Sequence, residues 1–201
     1  MARPRSFDPD HALGAALEVF WTRGYADTSI ADIVVATGVN RHSLYATWGD
    51  KDGLYRAALR RYRAVTLSSF LNPLADAGLE GVRNHIFAIA EFVKGMAKHR
   101  GCFAINSAVA GPDCDAELKH HFASIETAYR NALRRAVQAG ELPASTDIGA
   151  HACHLTISTQ AILLQARTGA SNETIDCFVQ MTLRSLSDPG LLHVATENEE
   201  S

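Results

Sequence analysis

Two short segments of helical spacing flank the tripeptide Thr37-Gly38-Val39, and this arrangement constrains the fold more than any other feature of the chain. Gly38 permits a sharp turn because it has no Cβ, and Val39 follows as an apolar plug between the two segments. Ile33 before the turn and Leu44 after it are spaced to pack beneath the helices. Two short helices joined by a glycine turn predict a helix-turn-helix motif.

The remainder of the chain carries the start and stop signals of further helices. Asp8 and Pro9 start a first helix that Gly24 ends, and Thr28 is expected to cap the second. Cap and breaker signals predict the later helices over residues 29–36, 40–48, 51–70, 79–98, 102–110, 114–139, 147–168 and 172–187. The alternation of β-branched and aromatic residues that marks strands is nearly absent. The prediction is an all-α chain of about nine helices.

Composition and charge exclude several classes of protein. The chain has 201 residues, of which 47% are hydrophobic and 20% charged, so it has material for a core and no sign of global disorder. The net charge is −3, but residues 1–63 carry nine Lys and Arg against seven Asp and Glu, while residues 64–201 carry ten against fifteen. A weakly basic front and an acidic rear suit a protein with one small nucleic-acid face.

The cysteines and histidines give no support to a metal or disulfide framework. The four cysteines are scattered without a CxxC pair. His151 and His154 lie three apart on a predicted helix, but no further ligand cluster accompanies them. We therefore expect no metal and no cofactor. There is no signal-peptide pattern and no run of 18 apolar residues, so the expectation is a soluble cytoplasmic protein without a membrane partner.

The third predicted helix carries the residues expected to read DNA. Arg41, His42 and Ser43 lie at its N-terminal end, which meets base edges in the major groove when a helix-turn-helix docks. Arginine pairs bidentately with guanine, and the other two side chains offer adaptable hydrogen bonds.

Candidate phosphate contacts flank this face. Thr28 stands at the start of the second helix, Tyr45 lies one turn beyond Arg41, and Lys51 opens the fourth helix. The free N–H groups and positive end of that fourth helix also favour a phosphate.

Three stretches of the front of the chain resemble the TetR family of regulators. They run from Phe20 to Ile33, from Thr37 to Tyr45 and from Trp48 to Leu54, and some fifteen positions match the family pattern in order and spacing. The departures are small: Thr37 stands for the usual Ala, Asn40 for the usual Ser or Thr cap, and Trp48 for the commoner Phe. His42 replaces a small residue, so base preference cannot be transferred from relatives.

The resemblance implies the organisation of the whole chain. A helix-turn-helix domain over residues 1–50 is expected to precede an effector-binding and dimerisation domain over residues 51–201, linked by the fourth helix. The implied function is a repressor that binds a pseudo-palindromic double-stranded DNA operator as a homodimer and is released by a small molecule. Family members usually dimerise through their last two helices. The apolar stripes there fit an intrachain core equally well: Ile148, Ala152, Leu155, Thr159 and Ile162, then Ile175, Phe178, Val179, Leu183 and Leu186.

The effector pocket is expected among the helices between residues 51 and 139. Aromatic side chains are frequent there, which favours a small apolar or aromatic effector. The candidate pocket residues are Phe87, Phe103, Asn106, Phe122 and Tyr129.

Cys102 suggests an alternative mode of regulation. The segment from Arg100 to Ser107 resembles a Gly-Cys-x-x-x-Asn element of one branch of the family, in which some members sense reactive species through cysteine. A cysteine at a helix N-terminus beside an arginine has a depressed pKa and reacts with electrophiles, whereas the bland interpretation is a small buried residue. Cys114 is less promising because Asp113 and Asp115 flank it.

Three further alternatives stay open from the sequence. An all-helical enzyme is disfavoured because no nucleophile–base pair, HExxH or phosphate loop is present. A DNA-binding protein without a ligand would lack a large cavity, and activation in place of repression depends on the operator position.

Trp21 and Trp48 both lie in the front part, so their emission is expected to report operator binding.

Overall fold

The computed structural model describes residues 7–95 and 101–186, and these residues are all helix, turn or loop. Nine α-helices occur in the described residues, and we number them in chain order: α1 Pro9–Arg23, α2 Ile30–Thr37, α3 Arg41–Trp48, α4 Lys51–Leu71, α5 Leu79–Gly95, α6 Phe103–Ala110, α7 Asp115–Gln138, α8 Ile148–Thr168 and α9 Asn172–Arg184. A short 3-10 turn, Asn72–Leu74, follows α4 and was not predicted. The predicted all-α class is confirmed.

The chain divides into two compact units. The first consists of residues 1–70 and 97–123 and therefore contains α1 to α4, α6 and the first part of α7. The second consists of residues 71–96 and 124–201 and contains α5, the rest of α7, α8 and α9. The domain boundary expected near residue 50 stays a prediction.

The helix caps follow the sequence with one correction. Asp8, Asn40, Asp147 and Ser171 cap α1, α3, α8 and α9 through side chains that accept backbone N–H groups, as expected. Thr28 was wrongly predicted to cap α2.

Ser29 is the N-cap of α2, and it exchanges hydrogen bonds with Asp32 in a capping box. The Asp32 carboxylate accepts from the Ser29 N–H at 2.8 Å, while Ser29 Oγ accepts from the Asp32 N–H at 3.2 Å. Thr28 instead donates its hydroxyl to the Gly24 carbonyl at 2.6 Å. The carboxylate three residues beyond Ser29 decides the cap, because only that pair satisfies two helix-end donors reciprocally.

The core of the first unit confirms the packing expected around the turn. Ile33 and Leu44 are completely buried, and Val39 between them is 7% exposed. Phe20 of α1 meets the Tyr55 ring edge-on at 4.9 Å between centroids, and Tyr55 lies 5.1 Å from Phe103. These rings join α1, α4 and α6, so an aromatic cluster forms part of the core of the first unit.

A buried chain of hydrogen bonds crosses the core of the second unit. The Thr159 hydroxyl donates to the Leu155 carbonyl at 2.9 Å, so its oxygen can only accept from Tyr129, 2.7 Å away. Because the Tyr129 hydroxyl donates its only hydrogen to Thr159, His85 Nδ1 must be the donor to the Tyr129 oxygen at 2.8 Å. The direction of donation fixes the Nδ1–H tautomer of His85. Burial lowers the pKa of His85 to about 4, which keeps the ring neutral at pH 7.

The apolar stripes of α8 and α9 belong to this core. Ala152, Leu155 and Thr159 are completely buried, and Ile175 and Val179 are at most 2% exposed. A different set of apolar side chains on the same helices is exposed: Ile157, Leu164, Phe178 and Met181. Most of the predicted stripe is therefore core, whereas Ile148 and Leu183 are half-buried and Phe178 is exposed.

In the described part of the chain, no helix has the length and apolar character needed to cross a membrane.

Candidate nucleic-acid interface

The turn between α2 and α3 is built by local hydrogen bonds. Gly38 has φ +67°, a left-handed conformation that side chains with a Cβ rarely adopt. Thr37 donates its hydroxyl to the Ile33 carbonyl at 2.7 Å and accepts from the Val39 N–H at 3.2 Å. Asn40 then accepts from the Ser43 N–H at 2.9 Å to start α3. The orientation of α3 is therefore set within a few residues.

The N-terminal end of α3 presents Arg41 and His42 to solvent, while Ser43 is half-buried. The Arg41 guanidinium lies 5.1 Å from the centroid of the Tyr45 ring, one turn further along. This contact holds the guanidinium along the helix surface, where its fork of donors stays free for a base edge or a phosphate. The geometry brings together four of the six candidate residues: Arg41, His42, Ser43 and Tyr45.

Lys51 is held by a residue that the sequence reading did not single out. Its ammonium lies 4.2 Å from the centroid of the Tyr25 ring, in the loop after α1. The Tyr25 hydroxyl donates to the Asp52 carboxylate, which ties this loop to the first turn of α4. Burial and that hydrogen bond raise the pKa of Tyr25 to about 12, so the phenol stays protonated and donating at neutral pH. The Tyr25 ring therefore holds the Lys51 ammonium in place at the start of α4.

The start of α4 is also shaped by Asp50 and Gly53. The Asp50 carboxylate accepts from the Gly53 N–H at 2.7 Å, so one of the helix-end donors expected to face a phosphate is already satisfied. A Cβ on Gly53 would lie 2.0 Å from the Trp48 carbonyl oxygen, and only glycine fits this close approach. Lys51 is consequently the main cation that this helix end offers.

Thr28 lies beneath the surface. Its side chain is 1% exposed, and its hydroxyl is committed to Gly24. The expected phosphate contact from Thr28 stays a prediction, whereas the neighbouring Ser29 is exposed. A salt bridge of 2.6 Å between Arg23 and Asp32 also joins α1 to α2 beside this point.

Tyr25 and Ser29 could have been found in the sequence. Tyr25 lies in the first of the three stretches that resemble the family, and Ser29 precedes Asp32 by three residues, the spacing of a capping box. No sequence signal indicates that the Tyr25 ring meets Lys51, because 26 positions separate them.

The candidate effector residues are divided between the two units. Phe103, Asn106 and Phe122 belong to the first unit, and Phe87 and Tyr129 to the second. Phe103 is a core residue, 1% exposed, with its ring 5.1 Å from Tyr55 and 5.7 Å from Tyr62.

The other four candidates differ in exposure. Phe122 is half-buried with its ring 5.3 Å from His121, and Asn106 is also half-buried. Tyr129 is completely buried and belongs to the chain of hydrogen bonds that begins at His85. Phe87, in contrast, is 43% exposed. The pocket stays a prediction.

Cys102 opens α6, as expected, but its chemical environment differs from the expectation. The thiol is 4% exposed and lies 3.3 Å from the Tyr62 hydroxyl. Burial raises its pKa, because desolvation of the thiolate outweighs the hydrogen bonds from Tyr62 and the α6 backbone. Of the two interpretations of Cys102 drawn from the sequence, the structure matches the small buried residue and not the thiol with a depressed pKa. Arg100, expected beside it, lies outside the described residues.

Cys114 carries no activated thiol either. Burial, followed by the nearby Glu117 charge, raises its pKa to about 11. The flanking acid Asp113 acts in the predicted direction but contributes less. Among the residues that the structure describes, no group of three or more His, Cys, Asp or Glu side chains lies close enough together to hold a metal ion.

The two tryptophans occupy different environments. Trp21 donates its indole N–H to the Gly101 carbonyl at 3.0 Å and meets the Tyr62 ring edge-on at 5.0 Å. Trp48 lies at the end of α3 with its ring 6.0 Å from Phe7. Trp21 is thus placed to report the start of α6, and Trp48 is the better reporter of the α3 surface.

Comparison with family models covers both parts of the chain. Residues 12–58 match the model of bacterial regulatory proteins, tetR family. Residues 78–182, more than half of the chain, match the model of the tetracyclin repressor-like C-terminal domain.

Similar proteins are transcriptional regulators rather than enzymes. The HTH-type transcriptional repressor ComR of Escherichia coli (strain K12) is 33% identical over 189 residues, covering 90% of each chain. The HTH-type transcriptional regulator YezE of Bacillus subtilis (strain 168) is 30% identical, covering 92% of this chain and 100% of its own. A cysteine mutant of the TetR family regulator CifR, complexed with 26bp double-strand operator DNA, has a TM-score of 0.78 at 28% identity over 92% of this chain and 100% of that one.

Proposed function

Because the chain belongs to the TetR family of bacterial regulatory proteins, we propose that it is a repressor that clamps a pseudo-palindromic operator as a homodimer and leaves it when a small molecule binds. The observation that carries the proposal is the exposed N-terminal end of α3. Arg41 and His42 are exposed on a helix whose Leu44 is completely buried, as is Ile33 of the preceding helix. A helix fixed by its buried side holds an exposed side chain firmly enough to discriminate between bases.

The residues divide by the kind of contact they make. Arg41, His42 and Ser43 read base edges, and Tyr45 and Lys51 bind phosphates, with Thr28 as a further phosphate contact. The base contacts supply sequence preference, whereas the phosphate contacts supply affinity that weakens with salt. The similarity to a regulator solved on operator DNA supports DNA binding by this chain.

A gel shift on the DNA that flanks the protein's own gene tests operator binding. The wild-type chain should give a discrete shift that survives excess competitor DNA. Arg41→Ala should weaken the specific complex by about 1–3 kcal/mol, because a bidentate arginine–guanine pair is lost. Arg134→Ala, an exposed arginine of α7, serves as the charge-matched control and should bind normally. Equal affinity of the Arg41 variant and this control would contradict the assigned reading face.

The homodimer is proposed to form through α8 and α9. The exposed apolar residues Ile157, Leu164, Phe178 and Met181 give these helices an apolar outer face beside their buried stripes. A symmetric dimer buries the same patch on both subunits and places two α3 helices on half-sites about 34–36 Å apart.

Sedimentation velocity tests this interface. Met181, 55% exposed, should tolerate a charge in the monomer, and Met181→Glu should shift the chain toward monomer. Val109→Glu, at an exposed apolar position of α6, is the matched control and should sediment as the wild type. A wild-type monomer at micromolar concentration, or a dimeric Met181→Glu variant, would argue for another interface.

The effector is proposed to be a small apolar or aromatic molecule. Its candidate contacts are Phe103, Asn106 and Phe122 in the first unit and, separately, Phe87 and Tyr129 in the second. It must favour the DNA-incompetent state, and a coupling of about 1–3 kcal/mol is enough for regulation. Aromatic compounds should therefore be screened for release of the gel-shift complex. Phe122→Ala, at a half-buried position, should reduce the response to an active compound without changing operator affinity.

Cysteine-based sensing at Cys102 is the alternative proposal for the signal. The Tyr62 hydroxyl at 3.3 Å supports a role for this thiol, whereas its burial opposes rapid reaction. Iodoacetamide labelling followed by mass spectrometry distinguishes the two. Cys153 and Cys177 are exposed in the single chain but share a helix face with the proposed dimer interface, so the free amino acid cysteine is the reference, and Cys102 should react only on unfolding. Labelling of Cys102 in the folded protein, together with loss of operator binding that a Cys102→Ser variant resists, would favour the sensor.

A further inference from the structure

A cavity of about 290 Å³ lies within the second unit. Its walls come from the first turns of α5, from the loop between α7 and α8, and from the first turn of α8. None of the residues proposed for DNA or effector binding lines it. Its volume is at the lower end of the range for ligand pockets, about 300–1,000 Å³, so a bound molecule must be compact.

The cavity wall is held in place by contacts between the α7–α8 loop and the start of α5. The Glu141 carboxylate accepts from the Leu79 N–H at 2.7 Å, where the helix end is electropositive. A Cβ on Gly78 would lie 2.9 Å from that carboxylate, so glycine permits the close approach. Arg135 of α7 reinforces the junction by donating to the Leu74 and Ala77 carbonyls. The pocket is therefore preformed rather than dependent on a ligand for its walls.

His151 is the polar group in this wall that lacks an internal partner. Its side chain is 6% exposed, and its Nδ1 is buried with no hydrogen-bond partner in the described part of the chain. Burial, with a smaller contribution from His154, lowers the pKa of His151, so the ring is neutral and one of its nitrogens carries a hydrogen at pH 7. Because the ring lines the cavity, a neutral His151 can donate its one N–H to a ligand oxygen there.

Arg83 supplies the cationic group of the cavity. It is exposed, and it forms no ion pair with any residue that the structure describes. Glu141, the acidic residue of the wall, already accepts from the start of α5. Leu79, Leu142 and Leu186 make much of the remaining surface apolar. A guanidinium without an ion pair in the described residues, beside a neutral imidazole and an apolar wall, is complementary to a carboxylate with an apolar body.

We infer that this cavity binds a small carboxylic acid with a compact apolar body. One carboxylate oxygen pairs with the Arg83 guanidinium, the other accepts from the ring N–H of His151, and the apolar body lies against Leu79 and Leu142. The site uses none of the residues assigned to DNA or effector binding, so it stands or falls independently of the proposed repressor function.

Calorimetric titration of the full-length protein with sodium benzoate tests the inference directly, without DNA. Benzoate has the required charge and size, and benzamide is its neutral isostere. Benzoate should bind with one site per chain, and benzamide at least tenfold more weakly, because it lacks the charge that Arg83 pairs. Equal binding of the two compounds, or no saturable binding of benzoate, would overturn the inference.

Two variants locate the site. Arg83→Gln and His151→Leu should each weaken benzoate binding at least tenfold, whereas Arg134→Gln on α7, outside the cavity, should bind as the wild type. Circular dichroism melting confirms that each variant is folded. If the buried His151 variant unfolds, the exposed Arg83 position still decides the outcome. Wild-type benzoate affinity in a folded Arg83→Gln protein would place any binding elsewhere and refute the site.

Discussion

At the scale of single residues, Lys51, which we propose as a phosphate contact, depends on its neighbour Tyr25. The ring lies under the ammonium at 4.2 Å, and its hydroxyl is fastened to Asp52 in the first turn of α4. Arg41 has a similar arrangement with Tyr45 at 5.1 Å. Both cations are thus directed by an aromatic face, which limits their rotamers before DNA arrives and lowers the entropy cost of binding.

Replacing Tyr25 should therefore weaken DNA binding without altering sequence preference. Lys51→Ala should reduce the slope of log affinity against log salt by about 0.9, the value for one phosphate contact. Tyr25→Leu should lower affinity for specific and random DNA equally and by less than Lys51→Ala. Tyr25→Phe keeps the ring and is the matched control. Fluorescence anisotropy at several salt concentrations measures all three, and an altered preference among operators in Tyr25→Leu would contradict a positioning role.

At the scale of helices, local caps and long-range hydrogen bonds stabilise different elements. The Ser29–Asp32 box satisfies two donors at the start of α2 within four residues of sequence. The chain from His85 through Tyr129 to Thr159 instead joins α5, α7 and α8 through buried side chains. The first sets where a helix begins, and the second sets how three helices are aligned.

The Ser29 cap should contribute measurably to stability. Ser29→Ala removes the acceptor for the Asp32 N–H and should cost about 0.5–2 kcal/mol of unfolding free energy in urea. Because hydrogen bonds from Ser29 are the chief cause of the lowered pKa of Asp32, the same variant should return that pKa toward its ordinary value, which NMR titration measures. If the pKa of Asp32 is the same in Ser29→Ala as in the wild type, the capping box does not stabilise the carboxylate.

Removing the Tyr129 hydroxyl should be more costly than removing an exposed one. Tyr129→Phe leaves the His85 Nδ1–H without its acceptor and the Thr159 oxygen without its donor, and we expect a loss of about 1–3 kcal/mol. Tyr45→Phe is the control, since the Tyr45 hydroxyl has no hydrogen-bond partner among the residues described here. Urea unfolding compares the two, and equal midpoints would mean that the buried chain carries no net stability.

At the scale of the whole molecule, buried neutral histidines make stability depend on pH. Burial lowers the pKa of His85 in one unit and of His121 in the other to about 4 each. The unfolded chain has histidines with a pKa near 6.5, so below that pH it binds more protons than the native state. Stability is therefore full above pH 6.5 and is lost as the pH falls toward 4.

Urea unfolding at pH 7.5, 6.0 and 5.0 measures this dependence. Each buried histidine should lower the unfolding free energy by about 1.4 kcal/mol per pH unit within that window. His121→Phe should flatten the dependence, whereas replacement of the exposed His42 by Asn should leave it unchanged. A pH profile of His121→Phe that matches the wild type would show that His121 ionises normally in the native protein.

The amino-acid sequence by itself determined the helices, most caps and the helix-turn-helix, because these depend on signals a few residues apart. The periodic Ile33 and Leu44, the glycine at the turn and the capping Asn40 act within one or two turns of chain. The exposure of Arg41 and His42, the positions proposed to read bases, follows from that same local geometry.

Only the tertiary structure decided which of these side chains meet partners from distant segments. It placed the Tyr25 ring under Lys51, buried Cys102 and so raised its pKa, and divided the apolar residues of α8 and α9 between core and surface. Burial and pairing depend on elements far apart in sequence, and a local pattern carries no information about which faces they cover. The same reason applies to His151, whose buried nitrogen became visible only once α5 and the α7–α8 loop enclosed it.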